Sequence, residues 1–213
     1  MKPLSLTLKN FGPYINETID FTKFEDSPLF LISGKTGSGK TTIFDGMSYA
    51  LFGESSGKLR LGKEMRSTFA DPSEATEVTL LFKHNEFLYE LNRLPEQELF
   101  KKRGTGVRKQ SAKISLIVKD AQGKELRAYS KRREVDELIQ ELLHLNANQF
   151  AQIVLLPQGE FRTFLIAKSD EKEKVLRNLF GTELYQLFSE NLKERLKIAN
   201  QEIQETQQKI ELK

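Results

Sequence analysis

Cysteine and tryptophan are absent from this sequence of 213 residues, and histidine occurs twice. Without cysteine, these residues can form no disulfide bond, no thiolate nucleophile and no cysteine-ligated zinc site. The two histidines, His84 and His144, stand far apart and lack the close spacing typical of paired metal ligands. We therefore expect surface or boundary roles for both, so the chemistry of the chain must depend on other residue types.

Long hydrophobic runs and a large net charge are also missing. The longest apolar runs, residues 29–32 and 153–156, are far shorter than the roughly 20 residues of a membrane-spanning helix, and no signal-peptide pattern occurs. These absences predict a soluble, cytoplasmic protein with no membrane partner. Lys and Arg number 33 against 30 Asp and Glu, a net charge of +3. Affinity for nucleic acid must therefore come from a local basic patch.

The clearest motif is G-x-x-x-x-G-K-[ST], which is complete from Gly34 to Thr41. Its glycines let the backbone curl so that successive N–H groups converge on phosphate oxygens, with the positive end of the following helix behind them. Lys40 is expected to reach the β- and γ-phosphates, and the Thr41 hydroxyl to ligate Mg²⁺. The predicted nucleotide-binding residues are Gly34, Lys35, Thr36, Gly37, Ser38, Gly39, Lys40, Thr41 and Thr42.

The residues on either side of this phosphate loop fit the motif. The apolar run 29–32 enters the loop as a buried strand would, and residues 42–52 follow it with the apolar spacing of a helix. The alternative is a chance match within a Gly- and Ser-rich loop, and the predicted strand and helix argue against it. The sequence therefore predicts a nucleotide-phosphate site between a strand and a helix.

Alternating apolar residues predict further strands. Residues 2–9 and 15–21 alternate on either side of the turn-forming residues 10–14, which predicts a hairpin. Three more strand-like runs, separated by turns or loops, lie at residues 76–82, 87–93 and 113–119. This order predicts an antiparallel β-meander rather than the alternating strands and helices of a simple doubly wound domain.

A basic segment lies between the last two of these runs. Residues 100–110 hold two glycines, no acid and five cations: Lys101, Lys102, Arg103, Arg108 and Lys109. Such a segment is either a solvated hairpin tip or a surface that contacts the phosphate backbone of DNA. Glycine favours the first interpretation and charge favours the second, so both stay open.

Helical spacing returns after the strands. Ser130 precedes a strongly amphipathic stretch, and we expect it to act as the N-cap of a helix. Helical character is predicted again near residues 148–155, before Pro157, and from about residue 169 to Gly181. The intervening residues 158–161 are predicted to form a loop.

Residues 183–213 contain neither glycine nor proline and carry a heptad pattern. Its seam consists of Leu192, Leu196, Ala199, Ile203, Thr206 and Ile210. This spacing is typical of a coiled coil, since a single helix this polar has little to bury alone. The pattern still runs at Lys213 without a capping signal, which predicts that the helix continues and pairs with a returning helix outside this sequence.

Together these features resemble one family. The phosphate loop 34–42, the Leu-Leu-Pro-Gln-Gly-Glu-Phe-Arg-Thr-Phe-Leu segment 155–165, the segment 179–185 and the turn 10–14 are similar to the N-terminal half of the SbcC family of SMC-like, ABC-type ATPases of DNA repair. The likeness covers essentially the whole chain, and segment 155–165 is more specific than the phosphate loop. The chain departs from the pattern at Gly12, where eukaryotic and archaeal relatives carry a basic residue, so nucleotide contacts by that turn are not carried over.

The resemblance implies an α/β P-loop NTPase fold. Residues 1–182 would form the N-terminal lobe of an ABC-type ATPase head with an antiparallel β-meander, and residues 183–213 the base of a coiled coil. Gln158 matches the Q-loop glutamine, which contacts Mg²⁺ and the attacking water near the γ-phosphate. The resemblance thus implies ATP as the nucleotide, Lys40 and Gln158 as catalytic residues, and Thr41 and Gln158 as Mg²⁺ ligands.

The resemblance also implies partners and a role. The partners are an SbcD-like nuclease, a second head of the same kind, the C-terminal half of the protein and double-stranded DNA at the nucleoid. ATP hydrolysis would control a nuclease that processes DNA ends in double-strand break repair and cleaves hairpins. The acidic motif, the signature motif and the switch histidine of the family lie in the C-terminal half, so these residues alone are expected to hydrolyse little ATP.

Two other functions are compatible with the phosphate loop or the charge pattern. A P-loop kinase of small nucleotides would use Arg60 and Arg66 as its lid, but it leaves the meander and the heptads unexplained. A non-catalytic module would use the basic segment and the coiled coil to hold DNA or a protein partner.

Overall fold

The computed structural model describes residues 1–24, 29–55, 62–101, 105–151 and 183–211. The chain divides into two compact units, residues 1–157 and 158–213. The first unit contains all the strands described below, and the second contains one long described helix. The predicted division at residue 182 stays a prediction.

An antiparallel sheet of six strands forms the centre of the first unit, in the order β2-β1-β3-β4-β7-β8. A separate two-stranded ribbon is formed by β5 and β6. The strands are β1 (Lys2–Phe11), β2 (Tyr14–Asp20), β3 (Glu77–His84), β4 (Phe87–Leu94), β5 (Gln97–Phe100), β6 (Val107–Gln110), β7 (Lys113–Lys119) and β8 (Glu125–Tyr129). The predicted hairpin and meander are confirmed, and β5, β6 and β8 were not predicted.

Four α-helices are described. They are α1 (Lys40–Phe52), α2 (Arg132–Leu143), α3 (Ala147–Phe150) and α4 (Glu183–Glu211). Two short 3₁₀ turns, Phe21–Phe24 and Gly62–Met65, lie in the connections. The predicted helices after the phosphate loop and at residues 183–211 are confirmed, whereas those predicted beyond residue 151 and up to Gly181 lie outside the described residues.

The hydrophobic core lies between one face of the sheet and the helices α1 and α2. Alternate residues of the strands, such as Leu6, Leu80 and Leu91, are fully buried because a strand presents every second side chain to the same face. Helix α1 packs against β1, β3 and β4, and α2 packs against β7 through its buried residues Val135 and Ile139. The phosphate loop is thereby attached to the most buried of the helices described in the first unit.

Two expectations are wrong. Residues 29–32 form no strand, and Leu29 and Leu31 are 87% and 88% exposed. Strand β1 already has β2 and β3 on its two sides, so it offers no free edge to residues 29–32. Ser130 is not the N-cap of α2: that position belongs to Lys131, which is extended and makes no side-chain cap. An ion pair between Lys131 and Glu134 lies in the first turn instead.

Candidate nucleotide-phosphate site

The phosphate loop leads directly into the N-terminus of α1. Gly39 is the N-cap residue and lies in the left-handed region at φ 91°, and it provides no side-chain cap. The first N–H groups of a helix have no partner within the helix, and the helix dipole adds positive potential there. An anion at this position would therefore receive hydrogen bonds from the backbone.

The loop is tightly curled on itself. A Cβ atom added to Gly34 would lie 2.8 Å from Ser38 Oγ, so only glycine fits at this position without displacing Ser38. The backbone N–H of Ser38 donates to Lys35 O at 3.1 Å, which closes a turn within the loop. This curled backbone is compatible with the phosphate cradle that the motif predicts.

The ammonium group of Lys40 lies against the loop. Its Nζ atom donates hydrogen bonds to Gly34 O at 2.7 Å and to Lys35 O at 2.8 Å. An ammonium group has three donors, so one remains for a phosphate oxygen. The structure thus places the predicted lysine at the loop, with its charge held by two carbonyl groups.

Thr41 and Thr42 have different surroundings. Thr41 is exposed in the first turn of α1, where its hydroxyl is available to a cation that also contacts phosphate oxygens. A hydroxyl and phosphate oxygens are the hard ligands that Mg²⁺ prefers, so this donor fits the predicted metal. Thr42 is partly buried and faces the N-terminal turn, so its hydroxyl is less open to a metal.

The N-terminal turn, residues 10–14, packs directly on the phosphate loop, a contact that no local sequence pattern indicates. A Cβ atom on Gly12 would lie 2.5 Å from Thr42 Cγ2, and one on Gly39 would lie 2.6 Å from Pro13 Cγ. The Tyr14 hydroxyl donates a hydrogen bond of 3.1 Å to Gly39 O. Burial is the main cause that raises the pKa of Tyr14, followed by the charge of Glu17, so the hydroxyl remains protonated at neutral pH.

A second segment, residues 65–67, forms backbone hydrogen bonds with this turn. Gly12 N donates to Met65 O at 2.7 Å, and Ser67 N donates to Asn10 O at 2.8 Å. Arg66 lies between these contacts and donates to the carbonyl groups of Asp71 and Glu74. Because its guanidinium is engaged in this way, Arg66 does not suit the lid of a nucleotide kinase. Arg60, the other lid residue considered, lies outside the described residues.

The two-stranded ribbon of β5 and β6, called the basic ribbon, is attached to residues 72–76, which follow the segment around Arg66. The Gln97 carboxamide of β5 accepts a hydrogen bond of 2.8 Å from Thr76 N, and Phe100 N donates to Pro72 O. The described cations Lys101, Arg108 and Lys109 are exposed, and Lys109 forms an exposed ion pair of 3.9 Å with Glu98. Lys102 and Arg103 lie outside the described residues, as does Gln158.

Comparison with known proteins identifies the family of the chain. A family model described as "AAA domain" matches residues 5–213. Proteins named as the SbcC component of nuclease SbcCD are 46% identical over 197 residues in Lactococcus lactis and 43% identical over 211 residues in Vibrio cholerae. These matches cover 91% and 99% of this chain but 18% and 21% of the relatives, so the chain spans about a fifth of their length.

Among solved structures, one similar chain comes from work on ATP-driven dimerization and DNA-stimulated activation of SMC ATPases. The two chains share 18% sequence identity and a TM-score of 0.45. The match covers 84% of this chain and 99% of the other chain. The family model, the phosphate loop and the sequence relatives agree on the P-loop NTPase fold. The chain therefore belongs to the AAA domain family, and it corresponds to the N-terminal part of proteins named as the SbcC component of nuclease SbcCD.

Proposed function

We propose that this chain is the N-terminal lobe of an ATPase head, which binds ATP and Mg²⁺ and hydrolyses ATP when a C-terminal lobe and a second head complete the site. The observation that carries the proposal is the arrangement of Gly34, Gly39 and Lys40, which forms a phosphate cradle at the N-terminus of α1. In this proposal residues 1–182 form the lobe and residues 183–213 the base of its coiled coil.

Each proposed residue has one role. Lys40 releases a loop carbonyl or uses its third donor to bind the β- and γ-phosphates, and the loop N–H groups hold the phosphate chain. The Thr41 hydroxyl, together with Gln158, would hold Mg²⁺, which neutralises charge that develops on the phosphates. Gln158 would also orient the attacking water, since a carboxamide can accept a hydrogen bond without adding charge beside phosphate.

Residues 29–32, of which Leu29, Phe30 and Leu31 are exposed, support the need for a second lobe. Leu29 and Leu31 are almost fully exposed, and Phe30 and Ile32 line an apolar cavity of about 540 Å³ together with Phe44. A run of four apolar residues that leads into the phosphate loop has the pattern of a buried strand. We propose that strands of the C-terminal part of the protein pair with these residues and cover the cavity.

The partners follow from the names of the relatives. We propose that the complete protein acts with an SbcD-like nuclease and a second copy of itself, and that the ATP state of the two heads controls access of double-stranded DNA ends to the nuclease. The exposed cations Lys101, Arg108 and Lys109 are the proposed contacts of this chain with DNA phosphates, together with Lys102 and Arg103. The exposed seam residues Leu192, Leu196 and Ile203 of α4 would be covered by the returning helix.

Co-expression tests the composite site. This chain and the matching C-terminal part are expressed alone and together, and Mg²⁺-dependent ATP hydrolysis is measured. We expect hydrolysis in the mixture and at most a small rate in either part alone. Full activity of this chain alone would contradict a composite site. Phosphate transfer to a nucleoside monophosphate would instead identify a small-nucleotide kinase.

A further inference from the structure

The N-terminal turn is no part of the phosphate motif, yet it supplies a hydrogen bond to the loop. We propose that Tyr14 is a positioning residue for nucleotide binding: its hydroxyl fixes the peptide between Gly39 and Lys40 so that the Lys40 N–H faces the phosphates. The proposal rests on the proposed function, because it assumes that the loop binds the phosphates of a nucleotide.

The geometry of one peptide group carries the argument. Gly39 O accepts two hydrogen bonds, from the Tyr14 hydroxyl at 3.1 Å and from Ile43 N at 3.2 Å. A trans peptide is planar, so its N–H points away from its carbonyl oxygen. Holding Gly39 O from the side of Tyr14 therefore directs the Lys40 N–H toward the opposite side, where the loop curls around the phosphate position.

The contact leaves little freedom for this peptide. A Cβ atom on Gly39 would lie 2.8 Å from the Tyr14 oxygen and 2.9 Å from its Cζ atom, so the phenol ring is closely packed against the loop. A glycine at φ 91° has easy access to other backbone conformations, since it has no side chain to restrict them. Ile43 N and the Tyr14 hydroxyl together restrain Gly39 O, and the hydroxyl is the restraint that comes from outside the loop and α1.

Tyr14 is itself held firmly. It is the first residue of β2 and pairs with Phe11 across the turn. The turn is bound at Gly12 N and at Asn10 O by the segment around Arg66. The hydroxyl is therefore presented from a sheet rather than from a free loop, as a positioning group requires.

The test compares Tyr14→Phe with the wild type in the full-length protein. Affinity for a fluorescent ATP analogue and for ADP is measured with Mg²⁺, along with kcat, KM and Tm. The variant loses one hydroxyl, so we expect about three- to tenfold weaker binding of both nucleotides, a raised KM, a nearly unchanged kcat and a Tm lowered by at most a few degrees. Tyr129→Phe is the matched control, because Tyr129 is also partly buried but lies on β8 at the opposite edge of the sheet.

Hydrogen exchange provides a local readout that a purely structural role would not produce. We expect the Ile43 amide of the nucleotide-free protein, which donates to the same Gly39 O, to exchange faster in Tyr14→Phe, while amides of β1 and β3 keep their protection. Nucleotide affinity within twofold of the wild type, or protection lost across the whole sheet, would overturn the proposal. A wild type that binds no ATP would overturn the proposed function as well, whereas equal binding by both proteins overturns this inference alone.

Discussion

Arg93 Nε donates a hydrogen bond of 2.9 Å to Ala50 O in the last turn of α1. The same guanidinium reaches Leu51 O at 3.2 Å and Asp136 of α2 at 3.0 Å, and its side chain is only 6% exposed. A cation thus lies at the negative end of the helix whose positive end carries the phosphate loop. Burial lowers the pKa of Arg93, and the bond to Asp136 opposes this effect.

Replacing this buried cation tests its contribution to stability. Arg93→Met leaves the carbonyl groups of Ala50 and Leu51 without their donor, and we expect a loss of about 3 kcal/mol in the free energy of unfolding, measured by urea denaturation. Arg132→Met is the control, because Arg132 also pairs with Asp136 but is 75% exposed, and it should cost less than about 1 kcal/mol. Equal losses would show that the carbonyl contacts contribute nothing.

Lys40→Ala removes the charge at the phosphate loop. In the full-length protein we expect ATP hydrolysis to fall by about 100-fold or more, because phosphoryl transfer depends on positioned positive charge. The steady-state rate with Mg²⁺ is the measurement. Lys124→Ala, an exposed lysine in the turn before β8, is the control and should retain the wild-type rate. ATP turnover in Lys40→Ala that matches the wild type would refute the assignment.

The basic ribbon is tested through the salt dependence of DNA binding. Changing Lys101, Arg108 and Lys109 together to Gln should weaken binding to duplex DNA and lower the slope of log K against log salt by about one for each phosphate contact that is lost. The control changes Lys113, Lys124 and Arg127 to Gln, which removes the same charge elsewhere. An unchanged slope would show that these residues do not contact DNA phosphates and would support the interpretation of the ribbon as a solvated hairpin.

The pKa of Asp20 offers a test of local structure. Its carboxylate accepts hydrogen bonds of 2.6 Å from Thr22 Oγ1 and 3.0 Å from Thr22 N, and these hold the pKa of Asp20 below its ordinary value of 3.8. Because the pKa is lower in the folded state, the stabilisation is complete above the unfolded-state pKa and is lost as the pH falls through the folded-state pKa. An NMR titration should therefore give a midpoint below 3.8.

Thr22→Val removes the hydroxyl donor and keeps the backbone donor. In this variant the midpoint of Asp20 should move up toward the ordinary value. An identical midpoint in the two proteins would mean that the hydroxyl bond does not form in solution.

Alternation and turn residues were sufficient to predict β1, β2, β3, β4 and β7 to within two or three residues. In those strands one face is buried, or a hairpin fixes the register, as at Asn85 with φ 53°. Strands β6 and β8 are exposed along nearly all their length, so their sequences lack the hydrophobic alternation that indicates a strand. Sequence patterning could not detect them for that reason.

The phosphate loop was predictable because its chemistry lies in consecutive residues. The contacts of Tyr14 with Gly39 and of Arg93 with Ala50 join residues 25 and 43 positions apart, and no local pattern signals such pairs. Residues 29–32 illustrate a different limit. Their sequence predicts that they are buried, and in the proposed assembly that burial depends on strands from another part of the protein.

The exposure of Leu29 and Leu31 has a thermodynamic consequence. These residues lead directly into the phosphate loop, so the pairing of residues 29–32 with another segment and the occupancy of the loop by nucleotide act on one continuous backbone. Linkage requires that, by whatever factor the second segment changes nucleotide affinity, the nucleotide changes the affinity for that segment by the same factor. If the second lobe tightens ATP binding tenfold, ATP must tighten the association of the two lobes tenfold. The affinity between the lobes would then depend on whether ATP is bound.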